Sequence, residues 1–313
     1  MYAAVVTSFD EPPHYREFDT PQPAEGQMLI DVLAVGLHPR TRSGAAGKHY
    51  TSTGTLPMIP GVDGVGRRPD GRLIYFVADD DVIGTMAEQA VIDPRRSIEL
   101  PDGADPYKIA AAMNPAMSSW VALRRRVPIQ AGQSILILGA TGNAGAMAVQ
   151  VARRLGAGRV VGAGRNRERL ATIGADEVVA LADGPDALAK AAAEVDIVID
   201  YLWGAPAAEA IVALLTHRED RSRRLDWVQI GSMAGPTIEL PSVALRSANF
   251  VLQGNGQGAV STRAYLGELP SLIAEIDSGA VAIRTATAPL SQVAEVWAHP
   301  DVPGERTVLV TGS

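Results

Sequence analysis

The stretch "SILILGATGNAGAMAVQVARR", Ser134–Arg154, decides the fold. A short apolar run with strand character stops at glycine, a glycine-punctuated turn follows, and apolar positions then recur at helical spacing. Ala140, Gly142 and Gly145 keep the spacing of a dinucleotide-binding turn, with alanine in the first glycine's place. In such a turn Gly142 lets a pyrophosphate approach the backbone, and Gly145 lets the helix pack closely on its strand. Asn143 and Ala144 open the helix, where free amides offer donors to phosphate. A glycine turn of this spacing also serves plain packing, so its neighbours have to carry the argument.

On the carboxyl side the chain alternates between the two periods: "RVVGA", "RERLATI", "EVVAL", "ALAKAAAEV", "DIVID", "AEAIVALL" and "LDWVQIG". Strands alternating with helices imply a parallel sheet wound on both faces. Before about residue 115 the texture differs. Short β-like stretches ("AAVV", "MLIDVLAVG", "LIYFVA", "AEQAVI") are punctuated by Gly and Pro, with Asp70-Gly71 as a hairpin turn, the rhythm of a small barrel. The last stretch returns to mixed texture, with a helix around "LGELPSLIAEIDSG" and a closing strand "RTVLV".

The end of the second strand of the alternating part names the cofactor. An NAD-binding unit carries an acid there for the ribose 2′-hydroxyl. This chain has Gly164, then Arg165 and Asn166, in "RVVGAGRNRERL". Glycine makes room and arginine supplies charge-assisted bonds to a 2′-phosphate, each worth about 1.5–3 kcal/mol. NADPH rather than NADH is the expected cofactor. Arg169 joins the expected contacts, although Arg167 and Arg169 stay unranked as phosphate ligands, and the bland alternative is a solvated first helical turn.

Composition narrows the function classes. The 313 residues, 47% hydrophobic and 20% charged, are enough for two cores. A net charge of −7 without a long basic block gives no footprint for nucleic acid or an anionic membrane, and neither partner is expected. The amino terminus lacks the basic and apolar regions of a signal peptide, and a cytoplasmic protein is expected. There is no cysteine, and the five histidines never fall at the spacing that pairs two ligands on one helix face, so no metal site is expected. The "GATGNAG" turn also occurs in short-chain dehydrogenases. There it lies near the amino terminus and goes with a Tyr-x-x-x-Lys pair, which Lys48, Lys108 and Lys190 cannot form.

Over nearly the whole chain the motifs resemble the medium-chain dehydrogenase/reductase superfamily. The similarity lies in "GATGNAGAMAVQVARRLGAGRVV", "VDIVIDYLWG", "VQIGS" and "PLSQVAEVW", and earlier in "AVGLHPRTRSG", "LPMIPGVDGVG" and "AAAMNPAMSSWVAL". Without cysteine the zinc alcohol dehydrogenase branch is set aside. The chain is similar instead to zinc-independent quinone oxidoreductases and related enoyl reductases. This resemblance implies an α/β protein with two domains. Residues 1–115 and 255–313 would form a GroES-like β-barrel catalytic domain, and residues 116–254 a Rossmann NADPH-binding domain. It further implies hydride transfer from NADPH to a quinone or an α,β-unsaturated carbonyl compound, and a homodimer. A non-catalytic redox sensor or crystallin-like protein is the alternative, and an enoyl thioester reductase a lesser one.

The resemblance also places the site. Tyr50 in "GKHY" falls where these families carry a Gly-x-Tyr beside the substrate, and its phenol can donate a bond or a proton. His38 replaces a common asparagine and, with Asn114, is expected in the substrate pocket; His49 is expected in a loop and Asp63 in a structural role. Ser118 and Ser119 stand where the family holds a polar group near the nicotinamide ribose. Ile230, Gly231 and Ser232 in "IGSM", and Gly254 and Asn255 in "QGNGQG", match loops flanking the nicotinamide. Those glycines serve equally well as turns.

Overall fold

The computed structural model describes residues 1–78, 82–300 and 302–312. The chain divides into two compact units, Met1–Asn114 with Leu269–Ser313, and Pro115–Glu268.

The second unit is built on six parallel strands: β1 (Ser134–Leu138), β2 (Arg159–Gly164), β3 (Glu177–Ala180), β4 (Ile197–Asp200), β5 (Leu225–Gln229) and β6 (Phe250–Gly254). Their order across the sheet is β3-β2-β1-β4-β5-β6. This is the doubly wound Rossmann arrangement, with its switch point between β1 and β4. The apolar runs of β1 and β4 are buried almost throughout, as central strands covered on both faces must be. Helices Asn143–Arg154, Pro185–Ala192 and Gly204–His217 supply the cover. One face of the core gathers Leu136, Leu138, Val161, Val198 and Leu214 around Trp227, whose ring meets Phe250 edge-on with centroids 6.3 Å apart. The helix after β2 is a single turn, Arg167–Leu170.

The first unit contains the GroES-like barrel. Strand Met28–Gly36 is its organiser, pairing antiparallel with Asp63–Arg67, Gln89–Ile92 and Glu305–Val310. A register shift between Val32 and Ala34 lets one strand serve several partners. Asp63–Arg67 and Leu73–Val77 form a hairpin closed at Asp70-Gly71, where Gly71 adopts φ +88°. The chain's last strand, Glu305–Val310, thus lies beside Met28–Gly36, and buried Arg306 donates from Nη1 to Leu37 O at 2.6 Å. The core collects Val5, Ile30, Val35, Leu37, Ile59, Phe76 and Leu309. Residues 255–268, expected in the barrel domain, belong to the Rossmann unit, because Arg126 donates to Gly254 O and Ala259 O while Arg124 and Arg125 both pair with buried Glu268.

Candidate active site

The turn after β1 has the shape a phosphate requires. Gly139, at φ +86°, and Ala140 both send their amides to Ala163 O of β2 at 2.9 Å. Gly142 is the N-cap of helix Asn143–Arg154 and makes no side-chain cap. A side chain at Gly145 would bring its Cβ within 2.2 Å of Gly139 O and 2.8 Å of Ala140 Cα. Gly145 is therefore required by helix-to-strand packing. At Gly142 an added Cβ would meet only Gly139 O, at 3.4 Å, so the fold itself does not demand glycine there. A twelve-residue helix with an uncapped start behind an open glycine fits a pyrophosphate.

The end of β2 is more specific than its sequence suggested. Gly164 is buried, and a Cβ on it would meet Thr141 Cγ2 at 2.6 Å and Oγ1 at 2.8 Å. Thr141 itself therefore uses the space that glycine leaves. Arg165 and Asn166 are exposed, and Asn166 caps the one-turn helix by accepting from Arg169 N at 2.9 Å. The two arginines left unranked by sequence separate here. Arg167 pairs with Asp183, whereas Arg169 donates from Nε to Thr141 O at 2.5 Å and reaches Asn143 Oδ1 from Nη2 at 3.5 Å.

On the other half of the sheet, Asp200 ends β4 and organises the next turn. Its Oδ1 accepts from the amides of Leu202 (2.7 Å) and Trp203 (3.0 Å), and its Oδ2 from the Trp227 indole at 3.2 Å. Burial, outweighing these bonds, raises the Asp200 pKa. Ile230 and Gly231 send their amides to Asp200 O at 2.8 and 3.1 Å, and Ser232 follows on the surface. Gly254 ends β6, and the Asn255 amide donates to Gln229 O at 2.8 Å. Asn255 Nδ2 also reaches Ser118 O at 3.0 Å.

The serines separate as well. Ser119 is fully buried and returns its hydroxyl to Ala116 O at 3.1 Å. Ser118 is half-buried and lies 2.9 Å from the Tyr201 hydroxyl. Tyr201 carried no signal in sequence, since a tyrosine after a strand reads as core. Asn114 and Ser118 are one helical turn apart in Pro106–Val121, and both are half-buried.

In the barrel unit, His38 caps helix Pro39–Ala45, with its Nδ1 accepting from Thr41 N at 3.4 Å. Only 2% exposed, it turns Nε2 to Asp63 Oδ1 at 3.3 Å, while Asp63 Oδ2 accepts the Tyr75 hydroxyl at 2.7 Å. Burial lowers the His38 pKa, against the opposing pull of Asp63. Tyr50 is 71% exposed, its ring 4.3 Å from that of His49, which bonds Thr51 Oγ1. Next to these loops is a shallow recess lined by Arg40, Thr41, Thr51, Ser52, Met58 and Pro60 among others. Among the described residues no group of three or more His, Asp or Glu side chains stands ready to hold a metal ion.

A Rossmann unit with a phosphate turn at its first strand, in one chain with a GroES-like barrel, is the architecture of a nicotinamide-dependent oxidoreductase. No family model matches the chain. It is 32% identical, across 99% of its own length and 100% of the relative's, to a protein of Emericella nidulans named "Probable NADPH-dependent quinone reductase". It is 28% identical to the acryloyl-coenzyme A reductase of Metallosphaera sedula, over 57% of this chain and 64% of that one. Among solved structures it superposes on the quinone oxidoreductase of Thermus thermophilus with a TM-score of 0.82, at 24% identity and over 99% and 100% of the two chains. The chain belongs to the quinone oxidoreductase family.

Proposed function

We propose that this protein is an NADPH-dependent, zinc-independent reductase that passes a hydride to a quinone or an α,β-unsaturated carbonyl compound. The observation that carries the proposal is the uncapped helix start behind Gly139–Gly142, with Arg165 and Arg169 beside it at the end of β2. Gly142, Asn143 and Ala144 hold the pyrophosphate there; Arg165 and Arg169, with Asn166 shaping the turn between them, hold the 2′-phosphate. Ser118, Ile230, Gly231, Ser232, Gly254 and Asn255 border the nicotinamide half. The name of the full-length relative, an NADPH-dependent quinone reductase, supports the same cofactor and acceptor.

When bound, the reduced nicotinamide supplies the hydride. The protein's task is to stabilise the negative charge that then develops on the acceptor oxygen. Tyr50, with its phenol in a surface loop, donates to that oxygen, and Asn114 orients the acceptor. His38 acts from behind, capping the helix that leads to the Tyr50 loop. The reading without zinc rests on ligand chemistry, since the chain has no cysteine and His38 faces Asp63. A cytoplasmic homodimer completes the proposal, since among the described residues the strand Phe250–Gly254 lies at the sheet's edge and offers that side to a second copy.

The test is NADPH oxidation followed by absorbance with benzoquinone, naphthoquinone, an enal and an enoyl thioester. Turnover with at least one acceptor, and preference for NADPH over NADH, is expected. Tight NADPH binding with no turnover on any of them would overturn the proposal in favour of a binding protein.

A further inference from the structure

Three elements are linked in the neighbourhood of Tyr201. The residue directly follows β4, its hydroxyl lies 2.9 Å from Ser118 Oγ on helix Pro106–Val121, and Ser118 O accepts from Asn255, directly after β6. The hydrogen positions follow from supply. A serine hydroxyl has one hydrogen, and with Ser118 directing it to Pro115 O at 3.0 Å the Tyr201 phenol is free to donate to Ser118. Burial, only partly offset by the serine bonds, pushes that phenol up to about 12, and it keeps its proton throughout the neutral range. Ser118 is left with an acceptor lone pair and part of its surface exposed.

The segment around Tyr201 is held with unusual firmness. Trp203 adopts φ +53°, a region that strains a bulky side chain. Asp200 retains it there by binding the Leu202 and Trp203 amides, and Ala234 N donates to Leu202 O at 2.8 Å. Leu202 and Tyr201 crowd Gly139 of the phosphate turn, so that a Cβ on Gly139 would meet them at 3.1 and 3.2 Å. With the 2′-phosphate contacts at the end of β2, the other mononucleotide lies over β4–β6, the half where Tyr201, Ser118 and Asn255 stand.

We infer that Tyr201 is a positioning residue: through its bond to Ser118 it presents the serine oxygen as an acceptor for a donor group of the nicotinamide half of the cofactor. The inference rests on the proposed NADPH reading and adds a residue to it.

Calorimetric titration with NADPH and with 2′-phospho-ADP-ribose, which shares the adenine half and lacks the nicotinamide, tests it. Tyr201→Phe should weaken NADPH at least fivefold and leave 2′-phospho-ADP-ribose within twofold. Ser118→Ala should give the same split, Ser118→Thr should restore NADPH binding, and the Tyr201→Phe/Ser118→Ala pair should be no worse than Ser118→Ala alone. Equal weakening of both ligands, unchanged NADPH affinity, or losses that multiply in the double variant would overturn the inference. A wild-type protein that binds no NADPH would overturn the proposed function, whereas wild-type binding unmoved by Tyr201→Phe overturns the inference alone.

Discussion

Arg169 donates from Nε to the carbonyl oxygen of Thr141 at 2.5 Å, tying the one-turn helix after β2 to the phosphate turn after β1. Arg167, two residues earlier, turns to exposed Asp183 instead. The three arginines of "GRNRER" therefore have different prospects as 2′-phosphate ligands. Arg165→Ala is expected to cut the preference for NADPH over NADH by about 10–100-fold, the worth of one or two charge-assisted bonds. Arg169→Ala should lower the same ratio and also loosen the turn, raising KM for both cofactors. Arg167→Ala should leave the ratio within about twofold. Steady-state KM values for both cofactors measure all three, and an unchanged ratio in Arg165→Ala would remove that clamp.

Gly142 and Gly145 separate cofactor from fold. An added methyl at Gly145 meets backbone at 2.2 and 2.8 Å, so strand or helix must move; Gly145→Ala should lose about 2 kcal/mol or more in urea unfolding. At Gly142 the methyl has room in the protein alone. Gly142→Ala should unfold within about 0.5 kcal/mol of wild type yet bind NADPH at least tenfold more weakly, because the methyl stands where the pyrophosphate approaches. Normal NADPH affinity in Gly142→Ala would mean that the turn serves packing only.

The Rossmann half was legible because its signals are local. Apolar runs, the glycine turn and helical spacing each lie within a dozen residues, and β1, β2, β4 and β5 follow them. The barrel half was legible in its long strand Met28–Gly36 but not in Ser97–Glu99 or His14–Glu17, three- and four-residue edge strands that contain few apolar residues. The limit at 254 could not be read, since it depends on Arg124 and Arg125 finding Glu268 far along the chain. The same holds for the site. The pairings Arg169–Thr141, Tyr201–Ser118 and His38–Asp63 join residues 25 or more apart, and no spacing in the sequence announces them.

Tyr50 tests the substrate end. Its ring is 71% exposed beside His49, so removing the hydroxyl changes little buried surface. Tyr50→Phe should therefore leave the unfolding midpoint unchanged and NADPH affinity within twofold. If the phenol donates to the oxygen on which charge develops, kcat should fall by more than about fivefold, a loss above about 1 kcal/mol. Turnover within twofold of wild type would reduce Tyr50 to a ring that lines the loop.

His38 makes stability depend on pH in a predictable direction. The ring is buried between Thr41 and Asp63, and the positive charges of Arg306 and Arg40 act on it as well. Burial is the dominant influence and holds its pKa below the ordinary 6.5, even though Asp63 pulls upward. The folded protein thus binds fewer protons at this site than the unfolded chain once the pH drops below about 6.5. Its contribution is whole above that value and is lost progressively as the pH falls toward the lowered folded pKa. His38→Asn keeps an acceptor for the Thr41 amide, since asparagine is a favoured N-cap, but cannot titrate and does not span the distance to Asp63. Its thermal midpoint should lie below wild type at pH 8, by about 1–3 kcal/mol of stability for the bond left unmade at Asp63. Between pH 8 and pH 5, however, the variant should lose less than wild type, so that the two curves converge. Parallel curves over that range would mean that His38 is not the group being protonated.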